Sequence, residues 1–148
     1  MLNRLTGVFE SFQKHDVRYL VIGGIATILY GVPRATFDLD IIIETTPDNA
    51  KRLLDALLDA GLGTASLTNV KELLTHEITV FKDWVRIDVL TSTPGINFPE
   101  AWKRREAMVY QGQLFYVASK KDLISSKKAL GRDVDLEDVR LLELPEDI

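Results

Sequence analysis

Residues 19–43 read YLVIGGIATILYGVPRATFDLDIII, and this stretch decides the fold. The apolar run from Tyr19 to Ile22 predicts a buried strand. Gly23 and Gly24 follow as a turn, and Gly24 to Tyr30 suits two helical turns before Gly31 and Pro33 stop them. The chain then enters a second strand, Phe37 to Ile43, that carries Asp38 and Asp40. Strand side chains alternate faces, so the two aspartates project from one side while Leu39, Ile41 and Ile43 take the other, which must be core. Two carboxylates about 4 Å apart repel by roughly 1 kcal/mol in water and about 4 kcal/mol at an effective dielectric near 20. A fold avoids that repulsion unless a cation uses it. The pair is therefore a candidate metal site, and the glycine turn beside it a candidate phosphate site.

Working outward, Leu2, Leu5, Val8, Phe9 and Phe12 repeat at helical spacing and predict an N-terminal amphipathic helix. Thr46 caps a helix with Pro47 at its first position, running to about Ala60 and closed by Gly61. A shorter helix is expected near Asn69 to Leu74, then strands at Glu77 to Phe81 and Val85 to Leu90 joined by a tight turn. Pro99 to Arg105 read as helix, with strand pieces at Met108 to Tyr110 and Leu114 to Val117. Ser119 and Asp122 form a capping-box pattern before the helix Lys120 to Leu130, and Asp135 is expected to cap a last helix to about Leu142. With no repeat, low-complexity stretch or linker, residues 1–148 read as a single α+β, mixed α/β, domain.

VRIDVL places a third carboxylate, Asp88, in the middle of an apolar strand, on the face shared by Arg86. Alone it would read as a satisfied buried polar residue or an edge charge. Beside D-x-D on another strand it completes a set, since three carboxylates on adjacent strands can hold two Mg²⁺ ions about 3.5–4 Å apart for in-line phosphoryl displacement. Oxygen ligands suit a hard divalent ion better than zinc.

Composition narrows the alternatives. The chain has no cysteine and two histidines, His15 and His76, far apart, which disfavours thiolate chemistry and a histidine-rich zinc site. GG after a strand meets neither the P-loop pattern nor the dinucleotide fingerprint. No apolar run approaches the ~20 residues that span a bilayer, and MLNRLTGVFESFQKH does not read as a signal peptide, so cytoplasm without membrane contact is the expected location. Net charge is −4, but its distribution is uneven. Residues 103–132 hold eight Lys/Arg against two acids, and residues 133–148 hold seven acids against one Arg. Such an island presents either a basic surface to a polyanion or a helix that pairs with the acidic tail.

Together these residues resemble the nucleotidyltransferase superfamily of DNA polymerase beta, whose signature is an apolar residue, G-[GS], a spacer, D-x-[DE] and a later third acid. The match is Ile22, Gly23-Gly24, thirteen intervening residues, Asp38-Leu39-Asp40, and Asp88. GGIATILYGVPRATFDLD is most similar to the minimal and AbiEii-type toxin nucleotidyltransferases, which share G-G-x-A and R-x-T-x-D-x-D. The tail KKDLISSKKALGRDVDLEDVRLL resembles their D-L-I-x-x-K-x-x-x-x-R-x-x-D-x-x-D segment.

The resemblance implies a mixed sheet flanked by helices and Mg²⁺-dependent transfer of a nucleoside monophosphate from NTP, ATP among the candidates, to a hydroxyl. Asp38, Asp40 and Asp88 would be the catalytic metal ligands of a two-ion site, with Mn²⁺ as an alternative ion. Gly23 and Gly24 would cradle phosphates through their backbone, since Gly24 stands where relatives carry Ser. Arg34 would neutralise the triphosphate or steady the aspartates, and Lys127, in preference to Lys128, would reach the phosphates. Thr36 reads as a structural hydrogen bonder, and Trp84 or Trp102 as a base-stacking or packing residue. The acceptor would be an RNA end, tRNA included, a protein hydroxyl or an aminoglycoside-type small molecule. An antitoxin protein is an implied partner and self-association stays open. The competing reading is a non-catalytic nucleotide- or partner-binding domain.

Overall fold

A computed structural model of the chain describes residues 1–145. Glu146 and Asp147 of the acidic tail lie outside the described residues. An N-terminal helix α1 (Leu2–Lys14) leads into β1 (Tyr19–Ile22), a short helix α2 (Gly23–Leu29) and β2 (Asp38–Ile43). Helix α3 (Pro47–Asp59), a 3₁₀ turn and α4 (Val70–Thr75) precede the hairpin β3 (Ile78–Lys82) and β4 (Arg86–Leu90). Then come α5 (Phe98–Lys103), the hairpin β5 (Glu106–Tyr110) and β6 (Gln113–Val117), α6 (Lys120–Leu130) and α7 (Asp133–Leu142).

The strands form one six-stranded mixed sheet in the order β3-β4-β2-β1-β6-β5. β1 runs antiparallel to β2 and parallel to β6, while β2 and β4 are parallel. Both faces of the central strands are used. Tyr19, Val21, Leu39, Ile41, Ile43, Ile87 and Val89 point into the larger core, against Leu5, Val8, Phe9 and Phe12 of α1 and Leu53 and Leu57 of α3. Phe9 stacks on Phe115 of β6 with ring centroids 4.5 Å apart, which anchors α1 across the sheet. Leu20, Ile22 and Ile42 face the other way, into a smaller core with Phe98, Ala101 and Ala118. That second core covers only part of its face, and the ends of β2 and β4 emerge beyond it.

Local chemistry sets the element ends as the sequence predicts in most places. Thr46 accepts from Asn49 N at the start of α3, and Ser119 accepts from Asp122 N at the start of α6. Asp135 is a correction. Helix α7 begins at Asp133 after Arg132, with no side-chain cap, so Asp135 lies within the first turn, turned inward. No helix among the described residues is long and apolar enough to cross a membrane.

One buried side chain ties three segments together. Asn49, fully buried on α3, accepts from Arg18 N at 2.8 Å and donates to Arg18 O at 3.0 Å and Glu44 O at 2.9 Å. Arg18 O also accepts from Glu44 N at 3.2 Å, so the amide matters most to Arg18 N at the entry to β1 and Glu44 O at the exit from β2, which it satisfies. Asn49→Leu should lower unfolding free energy in urea by on the order of 3 kcal/mol, because Arg18 N and Glu44 O would be stranded in an apolar site. A loss no larger than that of an exposed substitution would show that water replaces the amide.

Candidate active site

The register of β2 against β4 assembles the acids. Asp40 is the direct partner of Asp88, and Asp38 the partner of Arg86, while β1 places Ile22 opposite Asp40 on the other side. One oxygen from each of Asp38, Asp40 and Asp88 lies within 4.8 Å of the other two, and all three residues are half-buried. Such oxygens, on two neighbouring strands, could hold a divalent cation. Arg86 is the counter-charge the chain itself provides. Its Nε and Nη2 donate to both oxygens of Asp88, at 2.9 and 3.1 Å, and its Nε lies 4.0 Å from Asp38.

Asp40 has no cation within ion-pair distance among the described residues. Burial, then the charges of Asp38 and Asp88, push its carboxyl up to about 7. The glycine turn explains how a carboxylate comes to sit there. Gly23 has a φ of +71°, and a Cβ on it would collide with the Asp40 carboxylate. A Cβ on Gly24 would lie 2.9 Å from Oγ1 of Thr36. Both glycines are therefore required by the chain's own packing: the first makes room for Asp40, the second for Thr36. Thr36 itself donates to the backbone and carboxylate oxygens of Asp38, at 3.4 and 3.3 Å.

These acids form one wall of a cleft of about 410 Å³. Gly23 lines it with them; Gly24 does not. The facing wall carries Lys127, Arg132 and Asp135 from the α6–α7 pair, and apolar side chains, Ile78, Leu90 and Pro94 among them, line the cleft as well. Of the two lysines weighed from the sequence, Lys127 is buried and turned inward, whereas Lys128 is exposed and pairs with Glu143 at 2.9 Å. Lys127 Nζ donates to Asp138 at 3.0 Å and lies 3.9 Å from Asp135. Arg132 grips both oxygens of Asp135, at 2.6 and 3.1 Å. Burial pushes the Asp135 carboxyl up, but Arg132 and Lys127 outweigh it and hold the group below the usual carboxylate range.

Other expected residues lie elsewhere. Arg34 pairs with Asp138 at 2.7 Å rather than with Asp38 or Asp40, and borders a separate depression lined by Met1, Ile25 and Phe37. Neither tryptophan lines the cleft: Trp102 stacks on Phe98 beneath the guanidinium of Arg105, 4.0 Å from its ring centroid, and Trp84 sits by Gly61. Five of the eight cations of the basic island, Lys103, Arg104, Lys127, Lys128 and Arg132, pair with acids, three of them with acids of the tail. Arg132 and Asp135 were not singled out as cleft residues from the sequence. The available signal was the i, i+3 spacing of Asp135 and Asp138, which puts both on one helical face.

The raised Asp40 carboxyl has a measurable consequence. In the unfolded chain an aspartate titrates near 3.9, so between about pH 4 and pH 7 the metal-free folded state keeps a proton that the unfolded state has lost. Stability should then fall as pH rises through that window, and Asp40→Asn should flatten the slope. Thermal unfolding in chelator from pH 4 to 8 measures it. Above pH 7 a divalent cation should raise Tm of the parent more than that of the variant. Equal slopes would show that Asp40 titrates normally.

The sequence from residue 3 to residue 148 matches the family described as "Nucleotidyltransferase of unknown function (DUF6036)". No curated protein matches it significantly. Among solved structures, the chain is similar to an antigenic nucleotidyltransferase-like protein from Paracoccidioides brasiliensis, with a TM-score of 0.57 at 16% identity. That alignment covers 93% of this chain and 72% of the other, so the mixed sheet with its flanking helices is a nucleotidyltransferase-like fold. The chain belongs to the DUF6036 family of nucleotidyltransferases.

Proposed function

We propose that the chain moves a nucleoside monophosphate from an NTP to a hydroxyl acceptor, releasing pyrophosphate, with Mg²⁺ or Mn²⁺ held by Asp38, Asp40 and Asp88. The observation that carries this reading is the meeting of three carboxylates on one wall of a cleft whose facing wall bears Lys127 and Arg132. The donor set fits a hard dication: every candidate ligand atom is a carboxylate oxygen, and a bound cation would pull back down the Asp40 carboxyl that burial and its neighbours raise to about 7. When bound, the metal supplies positive charge to the triphosphate and to the attacking and leaving oxygens.

The residues of the chain do the rest. Lys127 and Arg132 take the charge of the triphosphate tail, and the backbone at Gly23 offers a close approach beside Asp40. The acceptor oxygen forms a bond to the α-phosphorus, the bond between the α- and β-phosphates breaks, and pyrophosphate leaves with the electron pair. Asp88 accepts the hydroxyl proton, which requires Arg86 to release one of its oxygens. Lys127, Arg132, Asp135 and Asp138 are the residues of the tail motif that resembles AbiEii-type proteins, and their convergence supports that type, with a toxin role and an antitoxin partner. The acceptor we infer is a macromolecular hydroxyl, on RNA or protein. Since most of the basic island is paired internally, few cations remain to displace counterions from a nucleic acid.

Incubation with each α-labelled NTP, Mg²⁺ and total cellular RNA or protein tests this directly. Label should appear on one macromolecular fraction, and Asp38→Asn and Asp88→Asn should reduce it to background while the fold persists. Transfer should also fall little between 50 and 200 mM salt, unlike the ~10³-fold or greater loss of an interface with six or more phosphate contacts. Label transfer that survives both substitutions would remove the carboxylates from the chemistry.

A further inference from the structure

At the cleft wall and just behind it, two carboxylates meet three cations. Asp135 and Asp138 project inward from α7 with side chains 2% and 4% exposed. They meet Lys127 of α6, Arg132 of the α6–α7 link, and Arg34 of the segment leading into β2. Of the three cations only Lys127 is buried, its side chain 6% exposed, whereas Arg34 and Arg132 reach toward solvent at 30% and 67%. Moreover, a single atom, Oδ2 of Asp138, accepts from both Arg34 at 2.7 Å and Lys127 at 3.0 Å. Lys127 therefore shares its closest carboxylate oxygen with Arg34, which fixes that oxygen from the far side. It lines the cleft, whereas Asp138 and Arg34 do not.

We infer that Asp138 is a positioning residue, acting through Lys127 to hold its ammonium toward the phosphates of the nucleotide. This deepens the nucleotidyltransferase reading and rests on it. Without the charge of Asp138, Lys127 would be drawn to Asp135, already 3.9 Å away, and off its line to the ligand. The sign of the effect separates positioning from field strength. Asp138→Asn makes the wall more positive, so field alone would tighten binding of a polyanion; loss of position weakens it.

The test is calorimetric titration with Mg²⁺–ATP, Mg²⁺–GTP and Mg²⁺–tripolyphosphate, which needs no acceptor. Asp138→Asn should bind about tenfold more weakly than the parent, and so should Lys127→Met. The double variant should bind no worse than Lys127→Met alone, the non-additivity expected of residues acting as one unit. Binding by Asp138→Asn as tight as the parent, or fully additive losses, overturns the positioning role and leaves the nucleotide reading standing. A parent that binds no nucleotide with Mg²⁺ overturns both. Should Asp138→Asn fail to fold, nitrogen NMR of the parent decides. The Lys127 ammonium should give an exchange-protected signal that shifts on adding Mg²⁺–tripolyphosphate, and a signal that stays put overturns the role.

Discussion

The parallel pairing of β2 with β4, in the register that sets Asp40 against Asp88, is the constraint on which the rest of this molecule depends. Like charges directly opposite on neighbouring strands destabilise a sheet. The chain tolerates them here by two devices that are both visible. Arg86 grips Asp88 through two hydrogen bonds, and Asp40 shifts its titration upward to about 7 so that it keeps a proton. Each device is provisional, since a cation would displace both the guanidinium and the proton. The register itself is not provisional. Leu39, Ile41, Ile87 and Val89, on the opposite face of the same strands, are buried in the main core. A slip of one residue would expose all four, so apolar burial on one face fixes the carboxylates on the other.

The same economy appears at the turn. Gly23 and Gly24 read from the sequence as a place for phosphate to approach, and the structure adds a prior demand. Side chains from the β2 segment already occupy the space a Cβ would need, Asp40 beside the first glycine and Thr36 beside the second. The D-x-D strand and the GG turn are thus one packed unit, which gives a physical reason for the two motifs to occur together.

The elements of the fold were legible because they are strongly patterned. The period-two alternation of residues 38–43, the helical spacing of Leu5, Val8, Phe9 and Phe12, and the Thr46 and Ser119 caps each have one dominant local reading. The three carboxylates were legible for the same reason, since strand parity fixes which face each occupies. What the sequence hid was pairing at a distance. Nothing local to Arg34 says that its partner is Asp138, 104 positions away, rather than an aspartate four residues on. Asp135 read as a helix cap because an acidic residue early in a helix is common there, yet its carboxylate is buried, bonded to Arg132 and 3.9 Å from Lys127. The basic island and acidic tail left two readings open, and the contact of α6 with α7 pairs three of the eight cations, Lys127, Lys128 and Arg132, with acids of the tail.

That contact also shapes what the cleft can accept. One wall carries Asp38, Asp40 and Asp88, with Glu77 also lining the cleft; the other carries Lys127 and Arg132 against the single lining carboxylate of Asp135. The walls are opposite in sign and stand on different elements, the sheet and the α6–α7 pair. A ligand bridging them must present cationic character to the sheet and anionic character to the helices. A metal-bound polyphosphate does both at once, whereas a neutral sugar or a free cation does only one or neither. The apolar lining residues, Ile78, Leu90 and Pro94 among them, then suit a flat, weakly hydrated group joined to that polyphosphate. The charge division of the cleft, more than any one residue in it, is what favours a nucleotide.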